Sequence, residues 1–159
     1  VLPLAVVNKF NFLRCKKNEE KFLNEFLKDM RKADIEEISA LRNDIHKELE
    51  ESLMNSSVAI KVLSPDDKPL CIYGVTKIKG VEGYLIWCVG TNELMKYKKS
   101  FVKMSKHILG NWKKQYGIMY NCVSVDNKKA IAWLKYLGAT FSEPFPVGED
   151  DKYFMKFVL

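Results

Sequence analysis

The sequence predicts an α/β (α+β) fold: a sheet part antiparallel and part parallel, built with helices in a chain of one domain's length. Three observations carry this. Apolar residues alternate every second position in at least six short stretches, the signature of strands. They recur every third or fourth position in four or five longer ones, the signature of helices. And a long helical stretch, Glu93 to Tyr116, separates two strand-like runs, so those two strands need a parallel crossover, not a hairpin. The 159 residues, 47% hydrophobic and 29% charged, can bury a proper core, and residues 1–159 read as one unit with no linker or repeat.

Taken in order, Val1–Arg14 reads as a strand, with Phe10 and Phe12 opposite Asn11. Asn18 to Arg31 is helical on the stripe Phe22, Phe26 and Met30, widened by Leu23 and Leu27. Asp34 and Glu37 have the spacing of a capping box, which predicts a second short helix carrying Ile35, Ile38 and Leu41. A third helix runs from Asp44 to Met54, apolar at Ile45, Leu49 and Leu53 and acidic outside. Ser57–Leu63, Leu70–Ile78 and Tyr84–Val89 then form an antiparallel meander, turned at Ser64-Pro65-Asp66-Asp67 and at Lys79–Gly83. Gly90-Thr91-Asn92 breaks the last of these and caps the long helix, which Gly117 stops. Ile118–Val125 is a strand, and Asp126-Asn127 starts a helix through Ala130, Ile131, Leu134 and Leu137 that Gly138 ends. Thr140 and Phe141 begin another strand, Phe141–Gly148 with its two prolines reads as a loop, and Tyr153–Leu159 closes the chain as a strand.

The net charge is +6, unevenly spread. Residues 1–80 hold 14 basic against 13 acidic side chains, whereas residues 81–159 hold 12 against 7. The long helix alone carries seven lysines and one glutamate, with Lys96, Lys99, Lys103, Lys106 and Lys113 opposite the apolar stripe. An anionic ligand or nucleic acid is therefore a candidate partner at the Lys96–Lys113 face, although no aromatic residue interleaves with those lysines on the outer face. Cys15, Cys71, Cys88 and Cys122 are unpaired in spacing and read as buried free thiols. The two histidines, His46 and His107, lie far apart, so no metal is expected. The longest apolar run, Val1–Val7, is too short to span a bilayer and has no signal-peptide pattern, which predicts a cytoplasmic product and no membrane partner.

Strand, Asn-started helix, glycine stop and strand, in VSVDNKKAIAWLKYLGATF, resembles the last βαβ unit of the GNAT acyltransferase superfamily, whose signature there runs roughly N-x-x-A-x-x-x-Y-x-x-x-G-F. Asn127, Ala130 and Gly138 fall in step; Leu134 stands at the tyrosine and Ala139 at the phenylalanine. The element order is also the GNAT order. The resemblance implies helices on both faces of a mixed sheet, with the fourth and fifth strands splayed around acetyl-CoA. It also implies a Q/R-x-x-G-x-G/A turn that grips the pyrophosphate through bare N–H groups. Here the corresponding stretch, Gly90 to Lys99, has no G-x-G. The candidate cofactor-binding residues are accordingly Val89, Gly90, Lys96, Lys98, Lys99, Asn127 and Ala130, the lysines supplying charge where the glycines would supply backbone. With no tyrosine at Leu134 the proton donor for a leaving thiolate is missing, and Tyr84, Tyr120 and Tyr153, with Glu82 and Asp126 as bases, are the remaining candidates. No catalytic residue stands out.

Four segments are similar to a narrower group. ADIEEISAL, IYGV, IWCVGT and N-x-x-A-I-x-W-L-K-x-L-G resemble the internal virion protein A family of short-tailed, coliphage-like bacteriophages. That implies a protein of virion assembly in the host cytoplasm or the virion, with phage virion proteins as partners and no established acyl transfer. Three readings follow: a non-catalytic assembly factor, an N-acetyltransferase with an atypical pyrophosphate loop, and a nucleic-acid-binding module.

Overall fold

A computed structural model of the chain describes residues 10–148 and 150–159. Of the strand expected over Val1–Arg14, the part before Phe10 lies outside these residues, and the described part is β1, Asn11–Arg14. Three helices follow: α1, Glu20–Lys28; α2, Lys32–Leu41; and α3, Ile45–Asn55. Asn18 accepts from the Glu20 N–H and Asp44 from the Lys47 N–H, so both polar residues satisfy amides that a helix start leaves without a partner. The meander is β2, Val58–Leu63, β3, Pro69–Thr76, and β4, Tyr84–Gly90. A 3₁₀ segment, Asn92–Tyr97, leads into α4, Lys98–Tyr116. The chain closes with β5, Met119–Ser124, α5, Lys128–Tyr136, β6, Thr140–Phe141, β7, Phe145–Val147, and β8, Lys152–Val158.

The strands form one mixed sheet in the order β1-β2-β3-β4-β5-β8-β6, with β7 also paired to β8. All pairs are antiparallel except β4 with β5, the two strands joined by the α4 crossover. On one face Leu23, Phe26 and Met30 from the α1 side and Leu49 and Leu53 of α3 pack on Ala59, Ile72 and Val89. On the other, Met104 of α4 with Leu94 covers Phe10, Val62, Leu70 and Cys71, and Ile131 and Leu134 of α5 cover Val123 and Phe157. Each Leu, Ile, Val, Met or Phe among them contributes about 1.5–3 kcal/mol on leaving water.

Four expectations change. The long helix is not continuous from Glu93: the six residues Asn92–Tyr97 wind more tightly, because Leu94 and Tyr97 both turn to the sheet and i, i+3 residues eclipse only in a 3₁₀ turn. Asp34 is not a cap; it is the third residue inside α2, and neither it nor Glu37 bonds the helix start. The loop expected over Phe141–Gly148 contains β7, tolerated with Pro146 because β7 lies at the sheet edge, where a missing N–H costs no ladder bond. The four thiols are free, but only Cys71 is buried; Cys15 and Cys88 are half-buried and Cys122 is exposed.

The turn before β4 depends on Gly83. Its φ is +83°, and a Cβ there would stand 2.7 Å from the Ile118 carbonyl oxygen. That carbonyl accepts from the Tyr84 N–H at 2.9 Å, so the glycine lets the backbone come close enough to start the parallel pairing.

Candidate functional site

β4 and β5 pair over only two positions, Tyr84 with Met119 and Leu85 with Tyr120, and then separate. Asn121 stands at the fork. Its Nδ2 donates to the Ile86 carbonyl at 2.7 Å, and its Oδ1 accepts from the Cys122 N–H at 2.7 Å. One carboxamide thus takes the place of the next rung of the ladder. Beyond it opens a cleft of about 870 Å³, lined among others by Tyr73, Trp87, Cys88, Phe101, Asn121 and Trp133.

Helix α2 spans the open end. Asp34 Oδ2 accepts from the Gly90 N–H at 2.8 Å, on the β4 arm. Glu37 Oε1 accepts from the Ser124 N–H and from Asn127 Nδ2, both at 3.0 Å, on the β5 arm. Burial raises both carboxyls above their ordinary range. The Arg31 guanidinium and the Gly90 N–H pull Asp34 back, and the Asn127 and Ser124 donors pull Glu37 back. Arg31 Nη1 lies 3.8 Å from Asp34.

The junction from β4 to α4 is closed by the chain's own groups. The Gly90 carbonyl accepts from the Arg31 N–H at 2.9 Å and the Thr91 N–H goes to Leu70 at 2.9 Å. The Asn92 N–H donates to the Asp29 carbonyl at 2.9 Å, and the Glu93 N–H to Asp29 Oδ2 at 3.2 Å. Asn92 Nδ2 also reaches Asp29 Oδ1 at 3.2 Å. Asp34 thus holds the Gly90 N–H, and Asp29 holds those of Asn92 and Glu93. Gly90 serves this packing as well: an added Cβ would meet Leu94 Cδ2 at 3.0 Å and Arg31 Cδ at 3.2 Å.

Of the residues singled out from sequence, Val89, Gly90, Lys98, Asn127 and Ala130 line this one cleft. Lys96 and Lys99 do not: Lys96 is exposed and held by Glu93 at 2.9 Å, which raises its ammonium, and Lys99 is exposed on α4. Asn127 is committed twice, its Oδ1 capping α5 at the Ala130 N–H at 3.3 Å and its Nδ2 bound to Glu37. Leu134 packs against Val123, Ile131 and Phe157 and also lines the cleft. Tyr84, Tyr120, Tyr153, Glu82 and Asp126 all lie off the cleft; Tyr84 packs at a tilt against Tyr116 at 5.0 Å and Lys156 sits over Tyr120.

Sequence reasoning missed Asp29, Asp34, Glu37, Asn121 and Tyr73. Tyr73 is the phenol that does line the cleft, with its ring on Trp112 at 5.1 Å and its hydroxyl's ionisation pushed well up by burial. The alternation of β3 could have found it, since Cys71 and Tyr73 share one face. No local signal marks Asp29 or Asn121. Among the described residues there is no cluster of three or more metal-ligating side chains, and no helix is long and apolar enough to cross a membrane.

A family model described as "Bacteriophage T7, probable scaffold protein Gp13" matches residues 71–146, from within β3 to within β7. No curated protein matches. Among solved structures, a GNAT-family acetyltransferase from Bacillus anthracis is similar with a TM-score of 0.67 at 13% identity, over 93% of each chain. A spermidine N-acetyltransferase from Vibrio cholerae, solved with CoA and spermine, is similar with a TM-score of 0.66 at 13% identity, over 96% of this chain and 95% of that one. A putative acetyltransferase from Acinetobacter baylyi gives 0.64 at 12% identity, over 94% and 92%. The fold is that of the GNAT acetyltransferases: a mixed sheet splayed at its one parallel pair, with helices on both faces.

Proposed function

We propose that this chain, residues 1–159 acting as one GNAT-like unit, is a phage-encoded factor of virion assembly that does not catalyse acyl transfer. It acts in the host cytoplasm or the virion and has virion proteins as its partners. The observation that carries this reading is the closed junction at Gly90–Glu93. A phosphate-bearing cofactor needs bare N–H groups at that turn. Here Asp29 and Asp34 hold three of them, and their carboxylates would repel the pyrophosphate they displace. The match of residues 71–146 to a phage scaffold family supports the assembly role. The segments ADIEEISAL and IWCVGT support the finer assignment to the internal virion protein A type.

The test is calorimetric titration of acetyl-CoA into the purified chain, paired with a thiol-release assay on a panel of polyamines, amino acids and peptides. Binding weaker than about 1 mM and no release above background are expected. A micromolar dissociation constant with turnover overturns the reading. The charge-led alternative, in which Lys96, Lys98 and Lys99 hold the cofactor, predicts binding that vanishes when all three become Ala.

A second reading, an N-acetyltransferase, is favoured by the cleft itself, by Tyr73 within it and by the half-buried Glu37 at its edge. On that reading Tyr73 is the proton donor, acetyl-CoA binds, and Tyr73→Phe removes the activity while leaving cofactor binding in place.

A further inference from the structure

We infer that α4 and α5 together form a binding face for the phosphate backbone of double-stranded nucleic acid. Neither helix contains an acidic residue. Lys98, Lys99, Lys103, Lys106, Lys113 and Lys114 on α4 and Lys128, Lys129 and Lys135 on α5 are all exposed. None forms an ion pair with another described residue; the ion-paired lysines are Lys32, Lys61, Lys68 and Lys96.

The tertiary structure makes two stripes into one surface. Trp133 Nε1 of α5 donates to Ser105 Oγ of α4 at 2.9 Å, and the Trp133 ring lies 5.6 Å from Phe101. At the outer edge of this contact Lys106 Nζ sits 4.8 Å from the centre of the Tyr136 ring. An aromatic residue absent from the α4 stripe in sequence is thus brought beside it. From Lys99 to Lys113 the ridge runs about 21 Å at 1.5 Å per residue. Along that length a duplex offers roughly one negative charge per 1.7 Å.

The chemistry of the face selects the occupant. Lysine is a point charge on a flexible stem and suits phosphate positioning, not bidentate reading of bases, so binding is independent of sequence. A single aromatic at the rim is too few for the stacking platforms that hold single strands. That leaves the duplex backbone as the fit.

The test measures anisotropy of a labelled 24-base-pair duplex of arbitrary sequence against salt. With about five lysines on phosphates, the log–log slope should be near −4.5. Lys99→Ala/Lys103→Ala/Lys106→Ala should flatten it by about 2.7 and weaken binding at low salt. Lys17→Ala/Lys21→Ala/Lys28→Ala, exposed lysines before and within α1, should leave the slope unchanged although net charge falls equally. Thermal melts check that both variants fold. The inference is overturned if the two triple variants behave alike, if no complex forms at 50 mM salt and tens of micromolar protein, or if polyglutamate of equal charge displaces the duplex fully. That last result would assign the face to an acidic protein instead.

Discussion

Asp34 and Glu37 lie one turn apart on α2, yet their carboxylates bind opposite arms of the splayed sheet, Gly90 on β4 and Ser124 with Asn127 on β5. The chain separations are 56, 87 and 90 residues. A single short helix therefore sets how far the arms diverge, and it does so with charged acceptors that are costly to remove.

Glu37→Ala should destabilise the protein by about 1–3 kcal/mol, because the Ser124 N–H and the Asn127 amide lose their acceptor in a partly buried setting. Glu37→Gln keeps an acceptor oxygen and should cost less. Urea unfolding of the pair checks this, and equal losses would show that the two bonds contribute little.

Stability should also depend on pH through these two acids. Both are raised above their ordinary values of 3.8 and 4.5. The folded chain then holds the proton more readily than the unfolded one. Their contribution is fully present below the ordinary values and is lost as pH rises through the raised folded ones. In Asp34→Asn/Glu37→Gln that decline should disappear from a plot of urea midpoint against pH. An unchanged slope would mean that neither proton is linked to folding.

Gly83→Ala should be more damaging than Gly80→Ala. Both glycines have positive φ, a strain of about 1–2 kcal/mol for an alanine. At Gly80 the added methyl meets nothing within 4 Å, whereas at Gly83 it stands 2.7 Å from the Ile118 backbone oxygen. Thermal unfolding should rank the variants in that order, with Gly83→Ala also disturbing the start of the β4–β5 pairing.

Leu134→Tyr should restore no acetyl transfer. Leu134 is 6% exposed and packed on Val123, Ile131 and Phe157 at the wall of the cleft, so a larger phenol strains that packing by about 1–3 kcal/mol. The Gly90–Glu93 junction would stay closed. A thiol-release assay on the variant reads the result, and measurable turnover would show that the missing tyrosine was the main defect.

Much of the fold was legible because it is written in periodicity. The stripes Phe22–Phe26–Met30 and Leu94–Tyr97–Phe101–Met104–Ile108, and the alternation through the meander, report local geometry. The site was less legible because its acids are read by distant backbone. Asp34 and Glu37 have a spacing that local chemistry uses for capping, and nothing nearby reveals that their partners lie beyond residue 89. Asn121 looks like any polar strand residue until β4 is placed beside it. Asn127 was legible as a cap, and only the fold shows its other hydrogen bond. Pro146 argued against a strand in sequence, and only its place at the sheet edge makes the strand admissible.

The position of β8 has a consequence for synthesis. It comes after every other described strand, yet it lies inside the sheet, between β5 on one side and β6 and β7 on the other. A ribosome delivers β1 to β4 and their helices long before it delivers this strand. Until β8 emerges, β5 offers a bare edge and the α5 core lacks Phe157. Without β8 in place, β5 presents a strand edge open to any extended segment nearby, and neither β6 nor β7 has a strand to pair with.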